Sequence, residues 1–235
     1  CKPFEWGADI VVHSLTKFLG GHGNSLGGVI IDSGKFDWSS HNSYPTLTEA
    51  NASYHGLKFC ETFGKMAYLV ALRTLSLRDL GATLSPFNAF LLLTGVETLP
   101  LRMARHTENT SIVAQFLENE RKVSWVSYAG LASSPYKALA EKYFPRGAGA
   151  VFTFGLKGGY EAAIKMVDNL QLFSHLANIG DTRSLVIHPA STTHRQLKTE
   201  QLAEAGVQPE AIRLSIGIET VQDIIDDLKQ ALAKI

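Results

Sequence analysis

The segment Ser14-Leu15-Thr16-Lys17 sets two hydroxyls and one amine at the end of an apolar run, DIVVH (9–13), and five glycines fall within the next eleven residues. Each residue type has a chemical use. A lysine whose carbon stem lies against apolar neighbours is poorly hydrated, which favours the neutral amine over the ammonium. A neutral amine is a nucleophile and forms a Schiff base with an aldehyde. Hydroxyls and the open backbone N–H groups of glycines suit phosphate oxygens. An aldehyde that also carries a phosphate describes pyridoxal 5′-phosphate, an electron sink for carbanion chemistry. Taken alone, S-x-T-K also describes a surface lysine after a strand. Other phosphate motifs fit less well. Gly28 stands one residue too far from Gly34-Lys35 for a Walker loop, and no G-x-G-x-x-G links a strand to a helix.

The elements that would position these residues are legible as patterns. DIVVH (9–13) and LGGVIIDS (26–33) read as β-branched strands flanking the glycine loop. Being apolar on both faces, they are expected to be buried in a sheet covered by helices. Residues 35–64 are aromatic and turn-rich, a long segment of the kind more often functional or at a subunit contact than idle. Helical patterning follows from Lys65 past Leu80, and again over residues 87–120, with Pro100 as a kink. Beyond that the texture is α+β. VSWVSY and AVFTFGLK read as strands, EAAIKMVDNLQLFSHLANI (161–179) as an amphipathic helix, then SLVIH and IRLSIGI as strands. The last helix puts Val221, Ile224, Ile225, Leu228 and Leu232 on one face, with TVQD (220–223) as a capping-box start. A domain boundary is expected near Gly95, dividing the chain into 1–95 and 96–235.

Bulk properties narrow the function classes. The 235 residues are 45% hydrophobic and 19% charged, and Lys plus Arg balance Asp plus Glu at 22 each. Such a chain gives no electrostatic case for a nucleic-acid or anionic-membrane partner. Two cysteines, Cys1 and Cys60, do not make a disulfide framework and suit a reducing cytoplasm. No H-E-x-x-H or C-x-x-C pattern points to a metal. The chain opens without Met, just before a buried-type strand, so it is expected to begin inside a larger protein.

The stretch ADIVVHSLTKFLGGHGNSLGGVIIDSGKFDW resembles the cofactor-lysine segment of the Cys/Met-metabolism family of PLP-dependent enzymes, which includes cystathionine γ-synthase, the cystathionine lyases and methionine γ-lyase. Within that family it is most similar to the O-acetylhomoserine sulfhydrylase group. The resemblance continues through LRDLGATLSPFNAFLLLTGVETLPLRM, GLASSPY, GAGAVFTFGLKGG, FSHLANIGDTRSLVIHPASTTHRQL and IRLSIGIE, covering essentially the whole chain. It implies the α/β fold type I of PLP-dependent transferases. Residues 1–95 would be the end of the large, mostly parallel-sheet cofactor domain, and 96–235 the smaller α+β C-terminal domain. The implied protein is a cytoplasmic homotetramer acting on O-acetyl-L-homoserine and sulfide. Siblings that use other acyl donors or thiols, or an inactive fragment of the same fold, remain alternatives.

Carried over position by position, the resemblance implies that Lys17 is the Schiff-base lysine and that Ser14 and Thr16 help hold the cofactor phosphate. It implies that Arg213 binds the substrate α-carboxylate, a task suited to a bidentate guanidinium, and that Asn178 lies near the same carboxylate. Without the resemblance, Arg213 fits a structural arginine and Asn178 a helix C-cap. His22 fits a loop residue or a site-lining one, and His188 and His194 read as structural. Asn24 departs from the Asp common among cystathionine-type relatives. A carboxylate for the pyridine nitrogen, an aromatic stacked on the ring and a glycine-rich phosphate loop are expected upstream of Cys1, so the chain alone is expected to be inactive.

Overall fold

The computed structural model describes residues 1–235, the side chain of Thr199 excepted. It divides into two units. Lys2–Ser14 and Gly27–Phe90 form one, and Leu15–Leu26 with Leu91–Ile235 form the other.

In the first unit, β1 (Ile10–Ser14) and β2 (Gly28–Asp32) pair antiparallel, with Ser14 opposite Gly28. The described residues do not bury these strands on both faces. Val12 is 68% exposed and Ile30 42%, because among the described residues these strands pair only with each other. The β-branched run secures the strand conformation but not its cover. The aromatic segment after β2 is not a bare loop. It folds into short helices, α1 (Pro45–Thr48) and α2 (Phe59–Phe63), followed by α3 (Ala67–Ala71) and α4 (Arg78–Leu80) in a nearly continuous helical run. Leu47, Phe59, Ala67 and Ala71 form its core, and the Trp38 ring stacks on Tyr68 at 4.8 Å.

Helix α5 (Pro86–Glu97) and the 20-residue α6 (Leu99–Glu118) meet at Thr98, with Pro100 in the first turn of α6. Pro there removes an N–H that would have no helical partner, so the chain breaks at the expected place. The second unit then lays down β3 (Val123–Ser127), α7 (Lys137–Tyr143), β4 (Val151–Leu156), α8 (Gly159–Asn169), β5 (Ser174–His175), β6 (Leu185–Ile187), α9 (Thr199–Glu204), β7 (Ala211–Ser215) and α10 (Val221–Ala233). Its sheet has the order β3-β4-β7-β6-β5, antiparallel throughout except between β5 and β6. Buried faces of α6, α8 and α10 pack on it, with Val113, Leu117, Phe154, Met166, Ile212, Leu214, Ile224 and Leu228 at the centre. No helix among the described residues is long and apolar enough to cross a membrane.

Two local expectations are corrected. The helix expected over 161–179 ends at Asn169, and Leu170 is extended. The buried carboxylate of Asp227 on α10 accepts the N–H groups of Gln171, Leu172 and Phe173 and draws the chain out of the helix. A tertiary acceptor thus outweighs local periodicity. At the start of α10, Thr220 makes no side-chain cap, so the capping box is not formed. The amphipathic face of α10 holds: Ile224, Leu228 and Leu232 are buried, with Val221 and Ile225 packed beside them.

Candidate active site

Directly after β1 the chain makes one wide turn, Leu15–Leu19, closed by the Gly20 N–H on the Leu15 carbonyl at 2.9 Å. Lys17 interrupts its helical backbone with φ −90° and ψ −137°. The Gly21 N–H bonds the Lys17 carbonyl at 2.7 Å, and the Gly21 carbonyl accepts the Thr182 N–H at 2.9 Å. The residue that bears the amine is therefore tied on its C-terminal side to the 180–182 segment.

The Lys17 Nζ donates to Asn178 Oδ1. Arg213 Nη2 donates to the backbone carbonyl of the same Asn178 at 3.3 Å. One residue thus takes the amine on its side chain and the guanidinium on its main chain. Arg213 is held in the middle of β7, opposite Thr153 of β4 and Ile187 of β6, and burial lowers its pKa. It remains a cation, since a guanidinium keeps its proton in proteins. Asn178 is not a helix C-cap, because it lies in irregular chain between β5 and β6. Gly180, two residues on, has φ +75°, and a Cβ there would meet the Phe18 backbone nitrogen at 2.5 Å. Its N–H donates to Ser215 Oγ at 3.0 Å.

Thr16 sits in the wide turn and is half-buried, and Ser14 ends β1 with its side chain exposed. The His22 Nδ1 lies 2.6 Å from the Gly20 carbonyl, a local loop contact. His188 is a buried structural residue between Ser191 Oγ at 2.9 Å and the Pro209 carbonyl at 2.6 Å.

Sequence reasoning passed over a buried polar column on α6. Arg102, His106 and Asn109 are all buried. The His106 Nδ1 donates to the Ile216 carbonyl at 2.6 Å, and its ring meets Phe18 edge-on at 5.4 Å. Asn109 Nδ2 donates to the Gly217 and Glu219 carbonyls at 3.1 and 2.9 Å. Farther along, Glu219 accepts from the N–H and hydroxyl of Ser184. A signal was available: 102, 106 and 109 continue at helical spacing into Val113 and Leu117, the buried stripe of the helix. Beside this column, burial pushes the Asp181 carboxyl up, but its bonds from Arg183 outweigh that and hold it below its usual value.

The donor set suits the phosphorylated aldehyde expected from the sequence. The amine is partly buried, and its partner is a neutral amide oxygen, so releasing it breaks a hydrogen bond and no ion pair. Comparison with known proteins agrees. The family profile described as Cys/Met metabolism PLP-dependent enzyme matches residues 1–233. O-acetyl-L-homoserine sulfhydrylase 1 of Thermus thermophilus is 53% identical over 99% of this chain and 55% of its own length. The homocysteine synthase of Schizosaccharomyces pombe is 52% identical over 98% of this chain and 54% of its own. The structure named as an O-acetylhomoserine (thiol)-lyase from Campylobacter jejuni, which carries N′-pyridoxyl-lysine-5′-monophosphate, superposes with a TM-score of 0.92 at 42% identity. It too is covered to 55% of its length, so the chain spans about half of the relatives it matches. A cystathionine γ-synthase from Xanthomonas oryzae superposes less closely, at a TM-score of 0.77 and 34% identity. With an amine and a guanidinium meeting at one asparagine and a family profile running almost end to end, the chain belongs to the Cys/Met metabolism PLP-dependent enzymes, of fold type I.

Proposed function

We propose that the protein carrying these residues converts O-acetyl-L-homoserine and sulfide to L-homocysteine and acetate. The observation that carries this reading is Asn178 joining Lys17 and Arg213, supported by the sulfhydrylase and homocysteine synthase relatives at 52–53% identity.

Pyridoxal 5′-phosphate, when bound, supplies the electron sink for carbanion chemistry at the amino-acid carbons. Lys17 would hold its aldehyde carbon, and the hydroxyls of Ser14 and Thr16 would serve its phosphate. Arg213 clamps the substrate α-carboxylate with its free edge, the Asn178 carbonyl fixing the other. Once its amine is free, Lys17 takes the proton from Cα and returns it at the end of the cycle. Asn178 offers that amine a neutral acceptor in the meantime, and it flanks the carboxylate site through its contact with Arg213. Acetate leaves Cγ and sulfide takes its place, so the atoms balance with no further reactant.

On this reading residues 1–95 complete the cofactor domain and 96–235 form the C-terminal α+β domain of a cytoplasmic homotetramer. Borohydride reduction followed by peptide mapping tests the cofactor assignment, with a pyridoxyl-phosphate adduct expected on Lys17. Product analysis with each of O-acetylhomoserine, O-succinylhomoserine and O-acetylserine, paired with sulfide or with cysteine, then tests the substrate. Homocysteine formed fastest from O-acetylhomoserine is expected. Cystathionine from cysteine, or a faster reaction with another acyl donor, would assign a sibling activity. An unmodified Lys17 would make the chain a non-catalytic member of the fold.

A further inference from the structure

We infer that Arg102 is a positioning residue for Lys17, holding the amine-bearing turn by its backbone rather than touching substrate or cofactor. The inference rests on the reading of Lys17 as the cofactor lysine. Arg102 projects from the first turns of α6 and is 5% exposed. Its guanidinium donates from Nη1 to the Phe18 carbonyl at 2.9 Å and from Nη2 to the Leu19 carbonyl at 3.2 Å. Nη2 also reaches the Gly95 carbonyl at 2.7 Å, and Nε reaches Thr98 Oγ1 at 3.2 Å. Phe18 and Leu19 are the two residues that follow Lys17.

Every one of these acceptors is neutral. Burial lowers the Arg102 pKa, yet the side chain keeps its charge. An arginine buried without a carboxylate is a poor choice for packing alone, since an apolar side chain of similar volume fills such a space without a desolvation cost. What the guanidinium adds is a rigid planar fork that holds several oxygens at fixed angles. Here those oxygens belong to the Lys17 turn and to the end of α5.

The glycines around the turn agree with this role. A Cβ on Gly21 would run into the Arg102 guanidinium, and one on Gly95 would run into the Gly20 carbonyl. The Gly21 N–H and carbonyl are already engaged, by Lys17 and Thr182. At these positions glycine makes room for the clamp and for α5, and the turn is anchored rather than pliant. Phe18 is held from a second side by His106, one turn along α6 from Arg102.

The test uses Arg102→Met, which keeps the volume and loses the fork, and Arg102→Lys, which keeps the charge and loses the fork. Amide hydrogen exchange is read over residues 15–21 of the chain without added cofactor. Attachment of pyridoxal phosphate to Lys17, trapped with borohydride and read by mass, is timed separately. The Met variant is expected to exchange about tenfold faster or more in 15–21, with β3 and β4 peptides unchanged. It is expected to attach the cofactor about tenfold more slowly, with the Lys variant between it and wild type. Wild-type exchange in 15–21, or wild-type attachment despite faster exchange, overturns the inference. If circular dichroism shows the Met variant unfolded, the Lys variant is judged by the same two outcomes. Attachment is timed in the longer protein that carries these residues, and its failure there counts against the cofactor reading, while the exchange measurement still decides the clamp.

Discussion

Lys17 and Arg213 are 196 residues apart in sequence and meet at opposite ends of Asn178. On the proposed function the two have separate roles, which predict separate kinetic effects. Lys17→Ala removes both the attachment point and the base, so turnover is expected to fall by at least about 10³-fold, measured as homocysteine formed under saturating substrate. Arg213→Lys keeps a cation but gives up bidentate geometry, costing one charge-assisted hydrogen bond of about 1.5–3 kcal/mol. The KM for O-acetylhomoserine should therefore rise about 10- to 100-fold with a much smaller change in kcat, because the clamp acts alike on bound substrate and transition state. Steady-state kinetics with the amino acid as varied substrate checks both variants. Lys17 was legible because its hydroxyls and glycines surround it in sequence. Arg213 had no such local signature, and only the resemblance singled it out. Arg102 was legible only as one position of the buried stripe of α6, since the turn oxygens it holds, those of Phe18 and Leu19, lie more than 80 residues away along the chain.

Elements were read well wherever a side-chain pattern alone decides them, and poorly where a distant group intervenes. Helix α10 shows its apolar stripe because burial on one face repeats with helical spacing. The end of α8 does not show, because it depends on Asp227, which lies more than 50 residues downstream. That carboxylate takes the three N–H groups of Gln171, Leu172 and Phe173, and also the Gln230 side chain at 2.9 Å. Asp227→Ala leaves the buried Phe173 N–H and the part-buried donors of Gln171, Leu172 and Gln230 without their acceptor, and charge-assisted bonds of this kind are worth about 1.5–3 kcal/mol each before compensation by water. A loss of about 2–4 kcal/mol in unfolding free energy is expected by denaturant titration. Hydrogen exchange should quicken first at 171–173, with α8 itself protected. A loss below about 1 kcal/mol would mean that water replaces the carboxylate and that the helix end is set elsewhere.

At the scale of the described chain, the two strands before and after the Lys17 turn leave Val12, Ile30 and Ile31 exposed, while the sheet unit is built around an apolar core. The strand pattern was legible and the cover was not, since periodicity reports which side chains seek burial and not what buries them. One ionisable group within the sheet unit links its stability to pH. His106 is fully buried, and burial lowers its pKa from 6.5, helped by the nearby Arg102 charge. The bond to the Ile216 carbonyl and the charges of Glu219 and Asp181 oppose the shift without cancelling it. Structure explains the direction: Nδ1 already donates to Ile216, and Nε2 is buried without a partner, so a second proton would have no acceptor. Above 6.5 the imidazole is neutral in both the folded and the unfolded chain, and its contribution is complete. As pH falls below that value, the unfolded chain takes up a proton that the folded one refuses. Stability should then decline by up to about 1.4 kcal/mol per pH unit until the folded pKa is reached. Asp181, whose folded pKa is lowered from 3.8, loses its contribution only at more acid pH, so the two windows separate. His106→Asn preserves a donor toward Ile216 and cannot titrate. Unfolding free energies from denaturant titrations just below pH 6.5 should fall less steeply with pH in the variant than in the wild type. Parallel slopes would mean that His106 is charged in the folded state, with an acceptor at Nε2.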